Sequence, residues 1–128
     1  LLATGIASFG HAAGVHYQNL PEWDDYISAL LERKELPLGR AMRPTKNQNL
    51  IREMILQLKR GYLDISYFKT KYGVHIVENW QQQWQQHVDD QMLTIQDDRI
   101  ELTRKGFLHA DALLPIFFEE EHQGVRYT

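Results

Sequence analysis

Six histidines are the residues of this sequence whose type most directly suits chemistry at a metal or a haem. His11 and His16 lie five residues apart across a glycine-containing loop, and His75 and His87 lie twelve apart on one predicted helix. No pair has the i, i+4 spacing that places two imidazoles on one helical face for zinc. The spacing therefore predicts no metal site. A single axial ligand to a haem stays open, with the loop histidines as candidates: His11, His16 and His122.

Other kinds of catalytic chemistry lack the residues that they need. The 128 residues include no cysteine, which excludes disulfides, thiolate catalysis and cysteine-ligated zinc or iron–sulfur centres within this chain. There is no Ser-His-Asp order, phosphate-binding loop or distinctive carboxylate pair. We therefore predict no catalytic residue and expect the isolated chain to be inactive by itself.

The elements that would position these residues belong to a folded, water-soluble protein. Apolar residues make up 43% of the chain and charged residues 24%, and no stretch approaches the roughly 20 apolar residues of a membrane span. A formal charge of -3 is too mild for a nucleic-acid specialist. Because no signal-peptide pattern is present, we expect a cytoplasmic protein. Leu1 and the residues after it read like the interior of a longer chain, so we expect a fragment.

Residues 1–44 are predicted to contain one buried strand and one helix. The small, branched and glycine residues of 1–10 suit a strand that runs into a loop. Asn19 and the proline that follows it start a pattern of apolar residues at helical spacing, which should end near Lys34. Two prolines and a glycine make residues 35–45 the best linker candidate, so we place a domain boundary there.

Residues 45–128 are predicted to form a winged-helix-like unit. Three apolar stripes at helical spacing indicate three helices, and Asp64 is placed to cap the second. The alternation across residues 93–102 predicts a hairpin that turns at two adjacent aspartates. Thr103 is placed to cap a last helix, which we expect to kink at Pro115. The expected fold class is therefore α+β and mostly helical: a three-helix unit with a β-hairpin and a C-terminal helix.

The third helix of this unit argues against DNA binding. No Lys or Arg occurs from residue 75 to residue 91, while Glu78, Asp89 and Asp90 contribute a charge of -3. Such a helix would repel phosphates. We interpret the glutamine-rich run 81–86 as a solvated helix surface.

Three short segments, in this order, resemble a known family. They are Gly5-Ile6-Ala7-Ser8-Phe9-Gly10 with the following His16-Tyr17-Gln18-Asn19, then Leu50-Ile51-Arg52-Glu53-Met54-Ile55, then Ile100-Glu101-Leu102-Thr103-Arg104-Lys105-Gly106. Together they look like the C-terminal portion of the oxygen-independent coproporphyrinogen III oxidases, a family of radical S-adenosylmethionine (SAM) enzymes. The resemblance covers nearly the whole chain.

The resemblance implies a specific chemistry for the complete protein. Family members bind a [4Fe-4S] cluster on a CxxxCxxC loop, cleave SAM to a 5′-deoxyadenosyl radical and act on a tetrapyrrole. In this family, residues 1–44 would be the last strand and helix of a partial (β/α) barrel, the catalytic domain, and residues 45–128 a C-terminal accessory domain. The expected partners are then the missing N-terminal catalytic domain and the tetrapyrrole, with a second copy of the fragment as a further candidate.

The same resemblance assigns a cofactor-binding role to Gly5, Ala7 and Phe9. A barrel strand's carboxyl end lines the active site, and glycine lets backbone approach a ligand closely. Plain core packing of Phe9 is the equal alternative. If the barrel is absent, Trp23 and its neighbours lose their packing surface, so we also expect an exposed apolar face or dimerisation.

Positive charge gathers between residues 40 and 75, which carry a net charge of +6 against -9 for the rest of the chain. Because a tetrapyrrole carries propionates, this basic stretch is a candidate recognition surface, and we predict that Arg40, Arg43 and Arg52 bind substrate. Coproporphyrinogen, haem and other porphyrins all remain open as the substrate. The alternative to the whole interpretation is a free-standing winged-helix module for protein interaction or nucleic-acid binding.

Overall fold

A computed structural model describes residues 1–119 of the chain, which divides into two compact units, Leu1–Thr45 and Lys46–Thr128. The predicted mixed α+β class is confirmed. The division falls one residue beyond the boundary predicted from sequence. Within residues 1–119, no helix has the length and apolar character needed to cross a bilayer.

The first unit is a three-stranded antiparallel sheet with one helical connection. Its strands are β1 (Phe9–Ala12), β2 (Val15–Asn19) and β3 (Leu38–Met42), with β2 in the middle. A two-residue turn joins β1 to β2, and both of its residues, Ala13 and Gly14, have the positive φ angles of tight hairpins. Between β2 and β3, helix α1 (Trp23–Ser28) continues as a π-helical turn (Ala29–Arg33) and ends at Lys34 in the left-handed region.

Three expectations for this unit were wrong, while the helix end near Lys34 is confirmed. Residues 1–10 are not one buried strand, because only Phe9 and Gly10 are extended in the sheet. The expected glycine loop around residues 11–16 is a hairpin. The expected linker at 35–45 contains β3, whose five residues are all exposed and therefore give no apolar alternation to detect.

The second unit contains the remaining helices and a second three-stranded sheet. The helices are α2 (Lys46–Leu58), α3 (Ile65–Tyr72), α4 (Ile76–Asn79), α5 (Gln81–Asp89), α6 (Arg104–Leu108) and α7 (Ala110–Leu113), followed by a 3-10 turn (Leu114–Phe117). The strands are β4 (Tyr62–Asp64), β5 (Leu93–Gln96) and β6 (Arg99–Leu102), antiparallel in the order β4-β6-β5. The predicted order of three helical segments, a hairpin and a last helical segment is therefore present.

Local capping chemistry sets several of these ends as predicted. The Asp64 carboxylate accepts the Tyr67 backbone N–H at 3.2 Å at the start of α3, and the Thr103 hydroxyl accepts the Gly106 N–H at 3.1 Å at the start of α6. The helices themselves are shorter than expected. The predicted third helix is interrupted at Trp80, which has a non-helical backbone, and the last helix is divided into α6, α7 and the 3-10 turn that contains Pro115.

The core of the second unit is built around Trp84 on α5. Its indole N–H donates to the Ile76 carbonyl at 2.9 Å, so the one polar atom of this buried side chain is satisfied. Its ring centroid lies 4.4 Å from that of Phe117, which joins α5 to the 3-10 turn. Phe68 from α3 and Ile100 from β6 are fully buried in the same cluster.

A polar cluster also ties α2 to α3. The Glu53 carboxylate accepts the Tyr67 hydroxyl at 2.9 Å and the Lys71 ammonium. Partial burial alone would raise the pKa of Glu53, but the hydrogen bonds from Lys71 and Tyr67 outweigh it and lower that pKa. The hydrogen bond that Lys71 donates to Glu53 also raises the pKa of Lys71. Both groups therefore stay charged across the neutral range.

His87 gives the second unit a testable pH dependence. The ring is buried on α5, and its Nε2 lies 3.2 Å from the Leu113 carbonyl oxygen of α7. Burial lowers the pKa of His87 from its ordinary value of 6.5, so the folded protein binds a proton at this site less readily than the unfolded chain does. The stability that the neutral ring contributes is complete above pH 6.5 and is lost progressively as the pH falls below it.

We therefore expect the unfolding free energy to fall more steeply between pH 7 and pH 5 in the parent chain than in His87→Gln. The difference in slope should reach at most about 1.4 kcal/mol per pH unit. Urea denaturation at a series of pH values measures it. His109→Gln, at an exposed histidine, is the control and should leave the slope unchanged. Parallel curves for the parent chain and His87→Gln would contradict the assignment.

Candidate functional site

The register of the first sheet places six side chains on one face. Residues that pair across antiparallel strands share a face, as do alternate residues within a strand. One row across the sheet is Phe9, Gln18 and Arg40, and the neighbouring row is His11, His16 and Met42. We call these six residues the front face. It brings together one predicted cofactor residue, one predicted substrate arginine and two histidines.

Aromatic contacts order the front face. The rings of Phe9 and His16 stack almost parallel, with centroids 5.7 Å apart and 8° between their planes. His11 lies beside His16 at a centroid distance of 6.3 Å. Phe9 is 42% exposed and Met42 47% exposed, so the face remains open within this unit. The alternative that Phe9 packs into a core therefore does not hold in the first unit.

Arg40 is held on the same face by its neighbour in the row. Its Nε donates to the Gln18 side-chain oxygen at 2.6 Å, while the residue as a whole stays exposed. The other nitrogens of a guanidinium remain available for a bidentate contact with a carboxylate. Arg43 follows β3 in the same unit and is exposed, whereas Arg52 is half-buried on α2 of the second unit. The joint role of the three arginines stays a prediction.

The predicted cofactor residues Gly5 and Ala7 lie in a turn that their own unit holds firmly. The Gly5 N–H donates to the Tyr26 hydroxyl at 3.0 Å, and its carbonyl accepts the Asn19 side-chain amide at 2.9 Å. The Ala7 N–H donates to the Leu20 carbonyl, and its own carbonyl accepts the Gln18 amide, both at 3.0 Å. Their N–H groups are thus already used, so a ligand would meet these residues through packing contacts.

The opposite face of this sheet is covered by the N-terminal residues. The Tyr17 ring lies over Gly10, where any larger side chain would collide with it, and the Tyr17 hydroxyl accepts the Ala3 N–H at 3.0 Å. Leu1 and His11 exchange two backbone hydrogen bonds of 2.9 and 3.0 Å, which pair the outer edge of β1. The opposite face is therefore partly covered around β1 and β2, whereas the side chains of Phe9, Arg40 and Met42 on the front face are exposed.

The structure changes the account of the histidines. His11 and His16 were expected on a loop but are paired directly across β1 and β2. The signal that could have revealed this is Ala13-Gly14, a two-residue turn between segments of extended character. Within residues 1–119 no group of three or more His, Asp or Glu side chains is arranged to hold a metal. His122, the other loop candidate, lies outside the described residues.

A shallow polar cavity of about 390 Å³ lies on the sheet of the second unit. It is lined by Asp64, Thr94, Gln96, Asp97, Asp98, Arg99 and Glu101. With four acids against one arginine, this cavity does not suit an anionic ligand. It contains none of the residues predicted to bind substrate.

Comparison with known proteins identifies a shared fold. No protein-family model matches the sequence, and no curated protein gives a significant match. Among solved structures, the chain is similar to coproporphyrinogen III oxidase (HemN) from Escherichia coli, a radical SAM enzyme, with a TM-score of 0.73 and 19% sequence identity. The match covers 89% of this chain and 27% of the E. coli protein, so the chain spans about a quarter of its length. The predicted resemblance is confirmed at the level of fold.

Asn19 should be essential to the turn that carries Gly5 and Ala7. Its side chain is buried, and its amide donates to the carbonyls of Gly5 at 2.9 Å and Ala3 at 3.4 Å. Asn19→Ala removes both bonds and should cost about 1–3 kcal/mol of unfolding free energy. Amide hydrogen exchange should accelerate at Ala7 but not in the second unit.

The matched control is Asn79→Ala at an exposed asparagine of α4, which should change stability by less than about 0.5 kcal/mol. Equal effects of the two substitutions, or unchanged exchange at Ala7, would show that Asn19 does not hold the turn.

Proposed function

We propose that this chain is the C-terminal portion of a radical SAM enzyme of the oxygen-independent coproporphyrinogen III oxidase family. The enzyme would act on a tetrapyrrole by oxidative decarboxylation in porphyrin and haem metabolism. The observation that carries the proposal is the extent of the fold match. The match covers 89% of this chain, which is more than the second unit alone contains, so the similarity extends into the first unit. A free-standing winged-helix module gives no reason for that extension.

The first unit would contribute a wall of the active site. The open Phe9 ring offers an apolar surface of the kind that an adenine ring packs against, and the firmly held turn at Gly5 and Ala7 fixes its position. SAM, when bound by the parent enzyme, would supply the 5′-deoxyadenosyl radical. The [4Fe-4S] cluster does not fit this chain, since it has no cysteine, and would be held by the N-terminal catalytic domain.

The position of Arg40 supports a role in substrate recognition, because Arg40 lies in the same row of the sheet as Phe9, with Gln18 between them. A guanidinium in this position could pair with a propionate of a tetrapyrrole whose ring lies beside Phe9. Arg43, close behind it on the chain, adds a second exposed positive charge. The second unit would cover the active site and help to retain the substrate.

Charge reversal tests this role in the enzyme that contains this chain. A hydrogen bond to a charged group is worth about 1.5–3 kcal/mol, so the double variant Arg40→Glu, Arg43→Glu should bind coproporphyrin III at least about tenfold more weakly. Fluorescence titration of the porphyrin measures the affinity. Lys69→Glu, an exposed charge reversal on α3, is the control and should leave it unchanged. Unaltered affinity in the double variant would overturn the assignment of these arginines.

The alternative function is a winged-helix module that binds nucleic acid, which the order of helices and hairpin in the second unit favours. Its third helix would be α5, which contains no Lys or Arg and ends at Asp89. We therefore expect no binding to a random DNA duplex, even at about 50 mM salt, where phosphate contacts are strongest. Fluorescence anisotropy of a labelled duplex tests this. Salt-sensitive binding that Lys59→Glu or Arg60→Glu weakens would instead establish the alternative.

A further inference from the structure

We propose that the row His11, His16 and Met42 on the front face binds Cu(I). The row contributes two imidazoles and one thioether from three neighbouring strands. A thioether is a soft ligand that selects Cu(I), and imidazole also binds copper well, whereas hard ions such as Mg²⁺ or Ca²⁺ require oxygen ligands. The spacing of residues in the sequence does not indicate this site, because Met42 lies 26 positions after His16 and is brought beside it only by strand pairing.

The strand pairing brings the two imidazoles within reach of one ion. The backbone N–H and carbonyl of His11 both bond to Leu1 on the outer side of β1. His11 and His16 therefore form a non-hydrogen-bonded cross-strand pair, in which Cβ atoms lie only about 4.5–5.5 Å apart. Their ring centroids are 6.3 Å apart, so a small change of side-chain rotamer lets a nitrogen of each ring meet one ion.

His11 has an unused ligand atom in this position. Its Nδ1 is shielded from solvent and has no hydrogen-bond partner, which is costly for a polar atom and which a metal ion would relieve. Phe9 stacks on His16 and restricts its ring orientation. On the other side, Met42 pairs with His16 in the ladder and is 47% exposed, so the thioether is free to turn towards the imidazoles.

The local charge favours a monovalent ion. None of the three ligands carries a negative charge, and the front face also contains the cation Arg40, in the adjacent row. A divalent ion would meet twice the repulsion from Arg40 without any carboxylate to offset it. Among ions that imidazole binds well, Cu(I) combines a single positive charge with a preference for sulfur.

The test is competition for Cu(I) between the 128-residue chain and a chromophoric Cu(I) chelator under anaerobic, reducing conditions. Loss of one direct ligand should cost at least about tenfold in affinity, since loss of an outer-shell partner alone costs about 10–100-fold. His11→Gln and Met42→Leu should each show this loss. Met42→Leu should leave Zn²⁺ affinity unchanged, because Zn²⁺ gains little from a thioether.

His75→Gln and Met92→Leu are the matched controls in the second unit and should bind Cu(I) as the parent chain does. Met42→Leu nearly conserves volume, so it keeps the test valid if His11→Gln fails to fold, as judged by circular dichroism. X-ray absorption at the copper edge should show a sulfur ligand that Met42→Leu removes. Failure of the parent chain to compete with the chelator, or equal losses in the controls and the Met42 variant, would overturn the site.

Discussion

The register of β2 between its two neighbours determines what the first unit can do. A shift of one residue would move every side chain of a strand to the opposite face. The observed register puts Tyr17 over Gly10 on one side and stacks His16 on Phe9 on the other. Because a side chain at position 10 would collide with Tyr17, the fit of this ring against a glycine disfavours other registers. Both the proposed wall of the active site and the proposed copper site depend on this pairing.

Hydrogen bonds from the Asn19 side chain attach the N-terminal turn, which contains Gly5 and Ala7, to the sheet. Asn19 lies at the end of β2, where its side chain is buried, and its amide fixes the carbonyl of Gly5. The turn is thus attached to the sheet by specific hydrogen bonds. Apart from Gly10, the buried residues of this unit are Asn19, Ala29 and Pro37, which are too few to form an apolar core beneath the turn. A unit held in this way retains exposed apolar side chains, of which Trp23 at 63% exposure and Leu31 at 71% are examples. The exposed apolar side chains expected around Trp23 are therefore present.

Sequence patterns predicted the second unit better than the first, for a physical reason. Asp64 and Thr103 cap their helices through bonds to residues three positions ahead, and the hairpin of residues 93–102 turns within two residues, so the information is local. In β3 every residue is exposed, and its place in the sheet is decided by pairing with β2, about twenty residues earlier. Pairing between such distant strands leaves no periodic pattern in the sequence. For the same reason, the sequence alone did not predict that His11, His16 and Met42 lie in one row.

We propose that this fold works as part of a radical SAM enzyme, and the reading frame that encodes the chain tests this proposal most directly. Sequencing the frame upstream of the codon for Leu1 should reveal a CxxxCxxC motif in a segment that follows a predicted strand, because the cluster ligands are absent from this chain. A frame that contains no such motif upstream would contradict the claim and leave the winged-helix interaction module as the better account.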